Sequence, residues 1–335
     1  MPTDVALAAA AFVALCLYLL LAGADFGGGV WDLLATGPRA ARQRAAVAHA
    51  IGPVWEANHV WLILVVVILF SGFPRAFAAI SVALHVPLTL FLVGVVLRGA
   101  AFAFRGFDAT SDPAQRRWGR VFSMASTVAP VLLGMAVGAI VSGRIHVRGG
   151  LVTSGFFAPW LTPFSCALGV FALALCAFLA ATYLTVELEV ADPDLAEDFR
   201  RRALASGVAV GAVALAALLL AGEGAPLVRA ALAARAWAWP FHVATGLAAV
   251  AALVALARRR YRFARAAAAA QTVLILVGWA ASQYPFLVVP DITLQAAAAN
   301  PATRALLLGA LAVGLPVLAP SLVVLFRVFK AARRG

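Results

Sequence analysis

Nine apolar segments of roughly membrane-spanning length divide the sequence, and they restrict the possible folds more than any other feature. A helix that crosses the hydrocarbon core of a bilayer needs about 20 predominantly apolar residues. Backbone polar groups inside lipid must bond within the chain, so segments of this kind predict helices. The segments are residues 5–22, 54–70, 77–97, 121–141, 163–186, 203–221, 237–257, 264–282 and 306–326.

The composition supports the same fold class. Charged residues make up 12% of the chain and hydrophobic residues 64%, whereas soluble domains carry about 25% charged residues. We predict an all-α, polytopic membrane protein with about nine transmembrane helices. Residues 1–335 should form a single transmembrane domain, arranged as two four-helix bundles plus a peripheral ninth helix.

The net charge of +12 would suit nucleic acid, but the positions of the basic residues follow membrane topology instead. Twenty of the 26 Lys and Arg residues lie in the odd-numbered loops or at the C-terminus, and six lie in the even-numbered loops. Basic residues accumulate in cytoplasmic loops. We therefore expect the N-terminus outside, the C-terminus in the cytoplasm, a lipid bilayer as the surroundings and no nucleic acid partner. The first four residues lack the basic region of a cleavable signal, so the first helix should be retained.

An acid and three glycines close the first apolar segment. Asp25 precedes Gly27, Gly28 and Gly29 in the tract that runs from residue 23 to residue 31. An ionisable side chain at the end of a membrane helix normally faces protein or water and indicates a functional site. The glycines permit close approach of neighbouring helices, or they act only as a flexible end to the helix. The tract alone leaves both interpretations open.

A second polar group begins the second apolar segment, where Trp55, Glu56, Asn58 and His59 follow one another closely. If the first helix runs inward and the second returns, Glu56 lies at a depth similar to that of Asp25, near the cytoplasmic side. Helical periodicity places Glu56 and His59 on one face with Ile63, and Asn58 on another face with Trp61.

Two interpretations fit this polar group. It could be an interhelical hydrogen-bond cluster that holds the bundle together. It could instead handle protons, because desolvation lets a buried carboxylic acid titrate nearer neutral pH, and histidine exchanges protons in that range. In the second case Asp25, Glu56 and His59 would take protons from the cytoplasm, and Arg98 at the inner end of the third segment would supply a counter-charge.

The sequence of these segments resembles subunit II of the cytochrome bd-type quinol oxidases, including the cyanide-insensitive branch. The resemblance begins with the tracts at residues 23–29 and 52–62 and continues through residues 97–105, 282–286, 290–291, 320–321 and 325–330. These tracts occur in matching order from the first helix to the last, which is more specific than any single short motif.

The resemblance implies a subunit of a terminal oxidase that takes electrons from quinol and reduces oxygen to water, without pumping protons. Haem b and haem d would belong to subunit I, the expected heterodimer partner, and this chain would not be active alone. A small accessory membrane subunit and a bound quinone are further possibilities that the family implies, as is location in the bacterial cytoplasmic (inner) membrane. Asp25 and Glu56 match positions that the family associates with proton delivery, whereas Ala103 stands where the family pattern usually has an acid.

Candidate haem ligands are few. Axial ligation requires His, Met, Cys or Tyr side chains that project inward, and no two histidines have the spacing of a metal site on one helix. We expect His85 and His242 to be hydrogen-bonded helix residues and this chain to ligate no metal. Two competing hypotheses remain: a proton-coupled secondary transporter and a purely structural assembly subunit.

Overall fold

A computed structural model describes residues 2–51, 55–107 and 112–331, without the side chains of residues 55–57, 105–107, 112–115, 326 and 328–331. Long helices dominate this part of the chain. They are α1 (Thr3–Leu33), α2 (Ala40–Ile51), α3 (Trp55–Gly72), α4 (Pro74–Ala83), α5 (His85–Phe107), α6 (Asp112–Val141), α7 (Pro163–Leu188), α8 (Pro193–Gly224), α9 (Pro226–Ala234), α10 (Ala238–Ala257), α11 (Tyr261–Gln283), α12 (Leu294–Ala297) and α13 (Pro301–Ala331).

The membrane-spanning helices confirm the predicted fold class. Among the described residues, eight helices are long and apolar enough to cross a bilayer, and a bent pair made of α3 and α4 brings the number to nine. Each of the nine predicted segments overlaps one of these spans. Several helices extend well beyond the predicted bounds, because polar turns continue the helix outside the apolar core. Helices α1 and α8 are extended most: α1 has 31 residues where the sequence predicted 18, and α8 has 32 where it predicted 19.

The third predicted segment, residues 77–97, was wrong as a single unbroken helix. It begins in α4 and ends in α5, with a break at Leu84. Pro87 lies in the first turn of α5 and has no backbone N–H to bond the preceding turn, so the break falls just before it. A second interruption bends α3 and α4 by 116°. Phe73 lies there with φ −136° and ψ 57°, because Pro74 disfavours helical geometry at the residue before it.

The helices pack as two groups of four. Helix α1 contacts α3 and α6, and α5 lies against α6, which gives the first group. Helices α7, α8, α10 and α11 form the second, and α7 joins the two groups by contacting both α1 and α6. Trp31 on α1 donates a hydrogen bond of 2.8 Å to the carbonyl of Ala177 on α7 across this junction. Helix α13 lies outside against α1 and α3, as the sequence predicted for the ninth helix.

One end of the bundle, which we call the arginine-rich end, holds a network of ion pairs between α2 and the start of α8. Arg39 lies 2.6 Å from Asp198, and Arg42 lies 2.6 Å from Asp192. Burial acts to raise the pKa of Asp192, but hydrogen bonds from Arg42 and from the backbone N–H of Leu195 hold that pKa below the ordinary range. Helix α2 is therefore fastened to the second bundle through its charged side chains.

The opposite end carries two short antiparallel hairpins. Strands β1 (Val147–Arg148) and β2 (Leu151–Val152) are joined by Gly149 and Gly150 at φ values of 57° and 82°, which a tight hairpin turn requires. Strands β3 (Phe286–Val288) and β4 (Ile292–Thr293) form the second hairpin. Asp291 accepts a 2.7 Å hydrogen bond from the backbone of Val147 and links the two.

Candidate functional site

The carboxylate of Asp25 lies inside the first bundle, where only 5% of the residue is exposed. Asn58 on α3, which is 2% exposed, donates a hydrogen bond from its side-chain nitrogen to Asp25 Oδ2. An ionised acceptor strengthens such a bond, and an unpaired carboxylate in this position would be costly. The sequence named Asn58 only as a supporting residue, yet it is the direct partner of the acid.

Arg98 has the largest fully buried side chain among the described residues, with 1% exposure. It lies over the ring of Phe26 at 5.0 Å and over the ring of Phe122 at 5.3 Å. Its Nε donates a 3.1 Å hydrogen bond to Ser126 on α6. It lies close enough to Asp25 for the two charges to attract each other. The two aromatic faces hold its plane in place, and its role as a counter-charge stays a prediction.

His59 contacts the same aromatic group. Its ring centroid is 5.9 Å from that of Tyr18 and 6.2 Å from that of Phe26. The Phe26 ring thus contacts both the imidazole ring of His59 and the guanidinium of Arg98. The structure brings Asp25, Asn58, His59 and Arg98 together around this one phenylalanine, and we call these four residues with Ser126 the Asp25 site.

The two faces that the sequence predicted for α3 differ in burial. Asn58 and Trp61 are buried and point to α1, whereas Ile63, which was grouped with His59, is 60% exposed. The side chains of Trp55 and Glu56 lie outside the described residues, so the predicted role of Glu56 stays a prediction. Ala103, where the resembling family usually has an acid, is an exposed residue of α5.

The three consecutive glycines are packing positions, each against a different helix. A Cβ at Gly27 would overlap the carbonyl oxygen of Cys176 on α7. One at Gly28 would overlap Ile51 on α2, and one at Gly29 would overlap Ser126 on α6. Because no side chain separates α1 from its neighbours here, the helix approaches all three closely. The close-approach interpretation therefore fits the structure better than a flexible end.

Sequence reasoning missed three residues of this region: Ser126, Phe122 and the buried acid Asp32. Asp32 is 3% exposed and accepts a 2.5 Å hydrogen bond from the hydroxyl of Ser123 on α6. Single serines in an apolar helix leave no pattern in a sequence, so nothing would have indicated Ser126. Asp32 could have been found by its spacing, since it follows Asp25 by seven residues and so shares its face of α1.

Two histidines outside the site, His85 and His242, bond to backbone carbonyls. A ring nitrogen of His85 lies 2.9 Å from the carbonyl of Val82, and one of His242 lies 3.1 Å from that of Leu232. Both have the hydrogen-bonded role that the sequence predicted. In the described part of the chain, no three His, Cys, Asp or Glu side chains come together as a metal site would require. That this chain ligates no metal, and that a partner ligates the haems, both stay predictions.

The fold and site define a class: a polytopic helical membrane protein with a buried acid, amide and guanidinium at the junction of three helices. The chain belongs to the family described as cytochrome bd terminal oxidase subunit II, which matches residues 3–329. The resemblance that the sequence motifs indicated is thus confirmed, and the transporter hypothesis is not favoured.

Individual relatives agree with the family. The chain is 29% identical over 149 residues to cytochrome bd-I ubiquinol oxidase subunit 2 of Escherichia coli K12, which is 42% of this chain and 38% of that one. It is 30% identical over 118 residues to cytochrome bd ubiquinol oxidase subunit 2 of Bacillus subtilis 168, 35% of this chain and 34% of the relative. The chain thus aligns with less than half the length of these curated relatives.

A solved structure matches over the whole length. A chain of the bd oxidase from Geobacillus thermodenitrificans superposes with a TM-score of 0.80, over 98% of this chain and 99% of the other, at 22% identity. At that identity the likeness establishes the fold alone.

Proposed function

We propose that this chain is the non-haem-ligating subunit II of a quinol:oxygen oxidoreductase. Family membership over nearly the whole chain supports this assignment. In such a complex, electrons from quinol reduce oxygen to water, and a subunit I of the bd type carries haem b and haem d. The long apolar faces of α3, α5 and α13 suit burial against lipid, against subunit I or against a small accessory subunit. The isolated chain would not be active.

The part that we propose for this chain is to pass protons toward the oxygen-reducing haem of its partner. The buried Asp25 carboxylate, bonded to Asn58 and facing the charge of Arg98, is the observation that carries the proposal. A carboxylate held among donors and a fixed cation can accept a proton and release it without leaving its place. His59 contacts the ring of Phe26, the residue that follows Asp25. Glu56, at the start of α3, would be a further proton carrier on the same path.

The direction of proton transfer follows from the charge distribution. Ion pairs bring the basic loops that contain Arg39, Arg42 and Arg259 to one end of the molecule, and Asp25 lies in the half of α1 nearer that end. By the positive-inside rule this end is cytoplasmic, with the N-terminus outside and the C-terminus inside. Proton uptake from the inside combined with quinol oxidation outside would make the reaction electrogenic without pumping, in a bacterial inner membrane.

A pair of matched substitutions on α1 tests the proposal. Asp25→Asn removes the titratable group and keeps its shape, so quinol-driven oxygen uptake by the purified complex should fall by about 100-fold while the haem spectra persist. Asp4→Asn changes a buried acid at the other end of the same helix, 3.8 Å from Arg304, and should leave turnover unchanged. Equal turnover in the wild type and Asp25→Asn would contradict the proposal, as would proton transport by the isolated chain in liposomes.

A further inference from the structure

We infer that Asp32 and Ser123 form a second proton-relay step, located between the arginine-rich end and the Asp25 site. This inference rests on the proposed function, because it extends the same path by one residue toward the loops. Asp32 acts through Ser123 and through the Asp25 site, and touches no reacting atom itself.

The position of Asp32 suits this part. Seven residues separate it from Asp25 on α1, which is two helical turns, so the two acids lie on one face about 10 Å apart along the axis. Helix α1 ends at Leu33, one residue later. Arg44 on α2 donates hydrogen bonds to the carbonyl of Asp32 at 3.3 Å and to that of Ala35 at 2.8 Å. Asp32 is thus a buried acid at the boundary between the loop and the bundle interior.

The contact with Ser123 can serve both protonation states of Asp32. The Ser123 hydroxyl lies 2.5 Å from Asp32 Oδ2 and 2.9 Å from the carbonyl of Gly119. A hydroxyl has one proton and can also accept. When Asp32 is ionised, Ser123 donates to it; when Asp32 is protonated, Ser123 donates to Gly119 and accepts from Asp32. The hydrogen bond between Ser123 and Asp32 is therefore kept when Asp32 gains or loses a proton.

The next polar group on α6 continues toward the Asp25 site. Ser126 lies one helical turn beyond Ser123, is fully buried and accepts the hydrogen bond from Arg98 Nε. Gly29 leaves room beside the Ser126 side chain, where a Cβ would overlap it. Arg98 Nη2 has no hydrogen-bond partner among the described residues and can donate to a water molecule. Two serine hydroxyls and bridging water would span the 10 Å in roughly four hydrogen bonds of about 2.8 Å.

Proton uptake by the detergent-purified complex, measured with a pH dye after oxygen is mixed with the reduced enzyme, tests the inference. Asp32→Asn should slow uptake by at least about 10-fold, and Asp32→Glu should restore most of the rate, because it returns a titratable group. Ser123→Ala should also slow uptake with unchanged haem spectra. The control is Asp192→Asn, which alters an acid at the same end and keeps a good helix cap; its rate should equal that of the wild type.

The outcomes separate the two proposals. If Asp25→Asn slows uptake but Asp32→Asn and Ser123→Ala do not, Asp32 is only structural and this inference is overturned while the proposed function stands. If none of these three variants slows uptake, the proposed proton path through Asp25 is contradicted, and the inference about Asp32 with it. Slow uptake in both Asp32→Asn and Asp32→Glu, with altered haem spectra, also overturns the relay. Should Asp32→Asn not assemble, Ser123→Ala and Asp32→Glu decide alone.

Discussion

Asn58 on α3 donates its side-chain hydrogen bond to Asp25 on α1, and this buried contact ties the two helices together at the depth of the site. The amide can donate to the carboxylate in its ionised form and to its carbonyl oxygen when it is protonated. The arrangement therefore keeps Asp25 in place through a change of charge, which a proton carrier requires.

Replacement of Asn58 by Leu should destabilise the complex and slow turnover. The substitution leaves the buried acid without its donor, and a hydrogen bond to a charged group contributes about 1.5–3 kcal/mol. Thermal unfolding of Asn58→Leu, Asp25→Asn and the double variant should show that the two effects are less than additive, because they share one contact. Strictly additive effects would mean that the bond contributes little to stability.

Gly27→Ala should impair assembly. Its new Cβ would meet the carbonyl of Cys176, which is backbone and cannot rotate away, so α1 and α7 would have to separate. Overpacking of this kind costs about 1–3 kcal/mol. Gly23→Ala, four residues earlier on α1, is the control, since its Cβ would make ordinary contacts of 3.4–3.6 Å. The yield of haem-loaded complex should fall for Gly27→Ala and stay at the wild-type level for Gly23→Ala. Equal yields for the two variants would show that α1 and α7 can separate at this junction without loss of assembly.

Substitution of Arg98 separates its charge from its planar shape. Arg98→Lys keeps a cation near Asp25 but loses the fit between the rings of Phe26 and Phe122 and the fork geometry that reaches Ser126. We expect partial turnover for Arg98→Lys and very little for Arg98→Gln, with quinol-driven oxygen uptake as the measurement. Indistinguishable rates for the two variants would show that turnover does not depend on the positive charge at position 98.

The attachment of α2 should depend on Asp198 more than on Asp192. Asp198 receives Arg39 and also Gln43, at 2.6 Å and 3.0 Å, whereas the Arg42–Asp192 pair involves an arginine that is largely in solvent. Exposed ion pairs contribute little. Hydrogen exchange of residues 40–51 should therefore rise in Asp198→Ala and stay close to the wild type in Arg42→Ala. The reverse order would show that the outer pair holds the helix.

Much of the fold could be predicted because lipid leaves a strong hydropathy signal: every predicted span overlaps a helix. What was missed is governed by other forces. Helix α2 carries three arginines or histidines and is held by ion pairs with α8, so no apolar run marks it. The bend between α3 and α4 depends on how Phe73 and Pro74 meet the surrounding packing, which a hydropathy profile does not contain.

The site shows the same division. Asp25 and Arg98 could be predicted as neighbours, since charges are rare in apolar helices and both lie toward the arginine-rich end of their helices. That Asn58 would be the direct partner of Asp25 depended on the rotation of α3 about its axis, and helical spacing defines faces without stating which neighbour each one meets. Asp198, similarly, lies four residues before Arg202, a spacing at which helical side chains can pair, yet it pairs with Arg39, while Arg202 packs over Trp31 and Phe199.

We propose that Asp25 passes protons from the arginine-rich side of the membrane to the chemistry in the partner subunit. The most direct measurement is proton uptake from each side of oriented vesicles that contain the complex, with pH dyes trapped inside or added outside during a single turnover. We expect the wild type to take protons only from the arginine-rich side and Asp25→Asn to lose that uptake with its haem spectra intact. Unchanged uptake in Asp25→Asn, or uptake from the opposite side, would contradict the account.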